Sequence, residues 1–457
     1  MNKNMRALLL ISFLCIFIPV LPTHATEIKA KPNGLDQLDN LNLLEQLTPE
    51  LHSSKSSVND QLLNISQTIA NQNYQKAIKE LNQFQKRYPD NHLACYLNTL
   101  AHVGLSQWKK AEANVNQCIK INKSWPVLYT LKGAILSTLK NYPQALQQYN
   151  YAIFLEQQNP GPYLQRAKFY YFNHEHVENA AYRALNDIKT YHSLNGDARQ
   201  SAGLLGLTYL RLGKAKLAKS ALLEAIKYQP NNFQLIAQLV QILIDDEDFF
   251  RASTLLRGSH KQLTDNDDVK RSQLYLLQAK VAKAQNKTAQ AETFFTSSLL
   301  ANPNNMEARK TYMYFLDQQE RLQEAIPLAK EGLEISPNDK YLTAYLAWAL
   351  TDGGEDLIQA SIWLKKAKQL DPTNVFLSDT EAWLNVQKQN YKQALKSIQP
   401  SLKYANTVPE IAYHASVINH KLGNKKQAIE FIKLALKADH SFNGRTEAEK
   451  LAISITQ

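Results

Sequence analysis

Three short stretches carry residue types that could do chemistry. His174-Glu175-His176, followed by Glu178, offers imidazole and carboxylate donors of the kind that hold zinc. No third His or Cys is placed nearby in sequence, so the stretch reads as a polar turn and no metal is expected. Asp245-Asp246-Glu247-Asp248 and Asp265-Asn266-Asp267-Asp268 are acidic enough for calcium, but both lack the Gly and the distant bidentate Glu of an EF-hand loop. They read as capping turns. Gly213-Lys214 has no Gly five positions earlier and runs on into Ala215, which excludes a phosphate-cradling loop. No Ser/His/Asp or Cys/His set can be named either. The expectation is therefore no catalytic residue, no cofactor and no enzyme.

The elements that carry these residues are helical by composition. Gly is low at 14 and Pro at 16 in 457 residues, too few breaks for an all-β chain. Long Ala/Leu/Lys/Gln-rich stretches favour helix, because these side chains lose little rotamer freedom there. The formal charge of +11, from 52 Lys+Arg against 41 Asp+Glu, is spread along the chain with no dense basic block. That distribution gives no reason to expect nucleic acid; it reads as a solvated surface, part of which could form a binding face.

An internal period organises the chain. An Ala after a turn and a short polar stretch recurs at Ala77, Ala111, Ala145, Ala180, Ala218, Ala252, Ala291, Ala325, Ala360, Ala394 and Ala428. Six of the ten gaps equal 34 and the others are 35, 35, 38 and 39. The clearest unit has Gly206 and Tyr209 on a first helix, Gly213 in the turn, Ala218, Leu222 and Ala225 on a second helix, and Pro230 beyond it. Small residues let two antiparallel helices approach closely, and Pro230 cannot continue the second. The pattern resembles the tetratricopeptide repeat (TPR) signature over residues 58 to 438. The resemblance implies an all-α fold, a right-handed TPR superhelix or α-solenoid of about eleven helix-turn-helix repeats. Residues 439–457 are expected to supply a capping helix, since an end repeat would otherwise expose its core. Insertions fall around Asn173 to Val177, before Asp197, and from Ser259 to Asp268.

The first 25 residues read as a signal peptide. Lys3 and Arg6 precede an apolar run from Ala7 to Leu21, and Thr23-His24-Ala25 suits cleavage after Ala25. The run is about 15 residues, short of the roughly 20 that span a bilayer. Residues 26–57 read as a flexible lead. No transmembrane segment is expected in the mature chain, which should be periplasmic or secreted. Cleavage removes Cys15 and leaves Cys95 and Cys118 in an oxidising compartment, at repeat positions that should face one another. A disulfide is expected, with two buried thiols as the alternative.

In TPR stacks the first helix of each unit lines the concave wall. Counting from the recurring Ala places Tyr314, Tyr341, Trp348, Phe376, Trp383 and Tyr413 along one groove. These aromatics could anchor peptide side chains or stack on sugars, or they could be core between repeats. Asp379-Thr380-Glu381-Ala382-Trp383, Pro409-Glu410-Ile411-Ala412-Tyr413-His414 and Leu422-Gly423 resemble the closing repeats of exported bacterial TPR proteins associated with exopolysaccharide production and envelope assembly. The resemblance implies a non-catalytic scaffold with a protein partner in a cell-envelope complex. The alternative is carriage of a polysaccharide chain in the same groove.

Overall fold

A computed structural model describes residues 57–456, apart from 265, 355, 439–441 and 443. The expected signal peptide, all but the last residue of the expected lead, and Asp265 lie outside the described residues. Among those described, every regular element is helical. They fall into two compact units, one ending at Asp246 and the other beginning at Glu247.

The first unit contains α1 (Ser57–Ala70), α2 (Tyr74–Arg87), α3 (His92–Gly104), α4 (Trp108–Ile121), α5 (Pro126–Thr138) and α6 (Tyr142–Leu155). It continues with α7 (Pro160–Phe172), α8 (Ala180–Ser193), α9 (Ala198–Arg211), α10 (Ala215–Tyr228) and α11 (Phe233–Asp245). The second contains α12 (Phe249–His260), α13 (Asp268–Ala284), α14 (Thr288–Ala301), α15 (Met306–Asp317), α16 (Leu322–Ile335) and α17 (Lys340–Gly353). After these come α18 (Leu357–Leu370), α19 (Phe376–Gln387), α20 (Tyr391–Ile398), α21 (Pro409–Lys421), α22 (Lys425–Leu436) and α23 (Arg445–Thr456). Within each unit a helix packs on its neighbours in sequence.

Three local devices repeat. Many first helices open on an Asn or Asp whose side chain accepts an N–H of the first turn, as Asn91 does from Ala94 and Asp339 from Leu342. The turn between the helices of a hairpin then places one residue in the left-handed region: Gln72, Ser106, Lys140, Gly213, Glu247, Asn286, Glu320, Gln389 and Gly423 each lie five positions before the recurring Ala. Gly354 lies six before Ala360, so this hairpin has one extra turn residue. Finally the recurring Ala is buried in every unit, where it admits the facing helix. The close approach is visible at Gly206, where an added Cβ would stand 2.7 Å from Leu222 Cδ2 and 3.2 Å from the Leu222 backbone nitrogen. The crowding backbone atom cannot move aside as a side chain can, so alanine there would spread the α9–α10 hairpin.

In the first unit Cys95 of α3 and Cys118 of α4 are joined by a disulfide, with Cα atoms 5.5 Å apart. It lies in a core with Leu97, Val115 and Leu131. Arg166 of α7 binds Asp187 of α8 bidentately, at 2.7 Å for both bonds. The His174–His176 insertion forms a single 3₁₀ turn, and His176 stacks on Tyr142 at 4.4 Å. Asn173 anchors that turn through Ser137 Oγ at 3.1 Å. At the other end of the chain, α23 packs on α21 and α22, and Phe442 and Ala448 join the apolar core there. No described helix is long and apolar enough to cross a membrane.

Candidate functional site

The acidic stretches turn out to be occupied with local structure. Asp248 caps α12 through Arg251 N, Asp246 binds Lys219 at 2.7 Å, and Asp267 accepts from Thr264 and pairs with Lys270. The Lys270 and Thr264 donors pull the Asp267 carboxyl down to about 2. Among the described residues no group of three His, Cys, Asp or Glu side chains could hold a metal ion.

The aromatic candidates all lie on first helices of the second unit. Tyr314, Trp348 and Trp383 each stand six positions before the left-handed turn residue of their hairpin, Glu320, Gly354 and Gln389. They therefore occupy one helical position in three repeats. Their burial differs. Trp348 is 8% exposed and Tyr413 7%, inside apolar clusters, whereas Tyr314, Tyr341, Phe376 and Trp383 are partly buried. Trp348 and Tyr413 thus serve packing as well as any surface they show.

Neighbouring rings link some of these residues and not others. Trp348 lies 5.6 Å from Tyr345, which is 6.3 Å from Tyr341. Trp383 lies 5.7 Å from Tyr413 and stacks on His414 at 4.1 Å. Phe376 instead packs on Tyr404 at 4.7 Å. Lys283 Nζ sits 4.4 Å from the centre of the Tyr314 ring, and Lys310 Nζ 5.3 Å from that of Tyr341. Lys310 is also bound by Asp339 at 2.6 Å.

The sequence reading missed the charged groups among these rings. His414 Nδ1 lies 3.0 and 3.1 Å from the two oxygens of Asp379, and both residues are buried. Burial works against the charged imidazole, but Asp379, with Asp352 and Glu410 adding, outweighs it and raises the pKa. Trp383 thus covers a buried histidine–aspartate pair.

Asp317 closes α15 and Asp352 stands one residue from the end of α17. Negative charge at a helix C-terminus opposes the dipole. Burial, with Asp352 beside it, pushes the Asp317 carboxyl up to about 7. Burial also raises Tyr341 and Tyr345, and Asp317 is the largest charge acting on each. The hydroxyls of Tyr341 and Tyr345 are buried, and neither has a hydrogen-bond partner among the described residues. At the end of α13 the corresponding charge is Lys283, the sign a C-terminus prefers, although burial and then Lys280 pull it down to about 8. A carboxylate in the last turn of two first helices was the signal available in the sequence.

Tetratricopeptide-repeat family models match residues 200–232, 276–340 and 409–441. The chain contains tetratricopeptide repeats. Two of these TPR segments, 276–340 and 409–441, include Tyr314, Asp317 and Tyr413. No curated protein matches the chain. Among solved structures, Pseudomonas aeruginosa pilF is 14% identical, covering 48% of this chain and 96% of its own, with a TM-score of 0.41. A TPR protein from Parabacteroides merdae is 15% identical, covering 57% and 100%, at 0.42. The APC/C hetero-tetramer Cut9-Hcn1 is 13% identical, covering 92% and 88%, at 0.40. Likeness at this level says nothing about what the TPR helices here bind. Chemically the arrangement is one of rings, carboxylates and buried hydroxyls, suited to holding another molecule.

Proposed function

We propose that this protein is a non-catalytic, exported TPR scaffold whose second unit binds a protein partner of a cell-envelope complex along its first helices. TPR repeats suit an interaction scaffold, and the observation that carries the binding face is the set of unsatisfied groups upon it. The buried hydroxyls of Tyr341 and Tyr345 and the indole N–H of Trp383 have no hydrogen-bond partner among the described residues. A buried polar group left unmade costs about 1–3 kcal/mol, which a partner's groups would recover where the side chains covering these atoms move aside. Export is supported by the charged start, apolar run and Thr23-His24-Ala25 of the N-terminus. The Cys95–Cys118 disulfide suits an oxidising compartment.

The test is capture from envelope extract by the full chain and by its Trp383→Ala variant, with melting curves for both. A protein enriched by the native chain and lost with a well-folded variant supports the scaffold. Retention of glycan with no enriched protein would replace it with polysaccharide carriage. Fractionation and the intact mass of the cellular protein check export: a mature chain beginning at Thr26 in the periplasm or medium is expected, and a full-length cytoplasmic chain refutes it.

A further inference from the structure

We infer that a cavity beside the short helix α20 is a receptor for a small zwitterion, a free amino acid or a dipeptide. None of the aromatic residues proposed to bind the protein partner lines it, so this site goes beyond that reading. The cavity exists because α20 stops early. It has 8 residues, whereas the second helix before it, α18, has 14 and the one after it, α22, has 12. Pro400, which has no N–H to donate, lies just beyond its end. The gap left there is a cavity of about 340 Å³, walled by the end of α18, the first turns of α19 and the end of α20. That volume is at the small end of ligand pockets, about 300–1,000 Å³, and excludes a folded partner.

The charges on its wall define the occupant. Lys368 and Glu381 already bind each other at 3.0 Å. Asp371 accepts from Thr373 Oγ1 at 3.2 Å and forms no ion pair among the described residues. Lys396 has neither a side-chain hydrogen bond nor an ion pair among them. One unpaired carboxylate and one unpaired ammonium thus line the same cavity without reaching each other.

The backbone carries the same polarity. Asp371 closes α18, at the negative end of its dipole, and α19 opens at Phe376, at the positive end of its own. A ligand ammonium at Asp371, with its carboxylate towards Lys396 and the start of α19, would meet opposite charge at both ends. Ser397, also on the wall, has a buried hydroxyl with no hydrogen-bond partner among the described residues. A hydroxyl turns about a single χ bond, so it can answer an occupant without moving the helix. Simpler ligands fit less well. An anion would gain Lys396 but stand beside Asp371 and Glu381, and a cation would gain Asp371 but stand beside Lys368 and Lys396. A neutral sugar would take both charges out of water and pair neither.

The test is calorimetric titration of the full chain with alanine and Ala-Ala, with the N-acetylated and amidated forms of each, and with maltose. Alanine or Ala-Ala is expected to bind with a Kd below about 1 mM, and the tighter of the two names the source. Either block should weaken that ligand at least tenfold. Asp371→Asn should weaken it likewise and abolish the effect of acetylation, and Lys396→Gln should abolish the effect of amidation; such coupling assigns each end to its residue. Gln393→Trp, which puts bulk into the cavity, should block binding. Lys86→Gln with Asp90→Asn, exposed charges of the first unit, should change nothing. Circular dichroism and melting of every variant guard against misfolding.

Absence of binding by both alanine and Ala-Ala overturns the inference. So does binding indifferent to the blocks, or to Asp371→Asn and Lys396→Gln. Binding of maltose in place of either would make the cavity a sugar site and overturn the assignment to a zwitterion. In each case a protein partner lost with Trp383→Ala still stands, because Trp383 does not line the cavity.

Discussion

Asp317→Asn should stabilise the second unit at alkaline pH, by less at mildly acidic pH, and hardly at all below the unfolded aspartate value near ~3.9. The native carboxyl is held at about 7, because burial and Asp352 disfavour its charge, whereas an unfolded aspartate titrates near ~3.9. The folded chain thus binds this proton more tightly. The associated stability is fully present below the unfolded value, declines as pH rises, and is lost once pH passes the folded value. At ~1.4 kcal/mol per tenfold difference in proton affinity, the full excursion is at most about 4 kcal/mol. Partial solvent access at the end of α15 reduces this, and about 1–3 kcal/mol is expected above pH 8. Asparagine fills the same space and cannot ionise, so the variant should avoid the loss. The groups facing Asp317 are Asp352, Tyr341 and Tyr345, and both tyrosines stay neutral throughout this range. Because repeats can unfold piecemeal, hydrogen exchange across α15 and α17 is the assay of choice, run at pH 5 and pH 8.5 with urea melts alongside. A variant no more stable than the native chain at pH 8.5 would refute the reasoning, because it would mean that Asp317 is engaged by a cation.

Three further outcomes are expected. His414→Ala strands the Asp379 carboxylate in the core and should cost about 3–5 kcal/mol in urea unfolding; since the raised His414 pKa makes its charge most helpful in acid, the cost should shrink as pH rises through that value. Reduction of the Cys95–Cys118 disulfide, whose cysteines are 23 positions apart, should lower the stability of α3 and α4 by about 2–4 kcal/mol, seen as faster exchange over those helices and a mass shift on alkylation. Gln389→Gly and Glu320→Gly should each raise the melting temperature, by the equivalent of a few tenths to about 1 kcal/mol, because both residues hold left-handed backbone at φ near 60°; a lower melting temperature would show that their side chains matter more than their backbone.

The sequence by itself determined the helical hairpins and where each one turns. A buried Ala every 34 or so residues, glycines at Gly206 and Gly213, and Asn or Asp before a helix are local demands of backbone and close packing, readable from neighbours in the chain. The same locality allowed Cys95 and Cys118, on adjacent helices, to be placed opposite one another. It also placed Tyr314, Trp348 and Trp383 on first helices, although not how deeply each is buried. That depends on which neighbours pack over the ring, and Trp348 and Trp383 differ there despite equal spacing. Only the tertiary structure brought Asp379 onto His414 and set Asp317 against Asp352 beside the hydroxyls of Tyr341 and Tyr345. Those relations join residues from different repeats. Their chemistry comes from desolvation and charge at short range, which no spacing along the chain records.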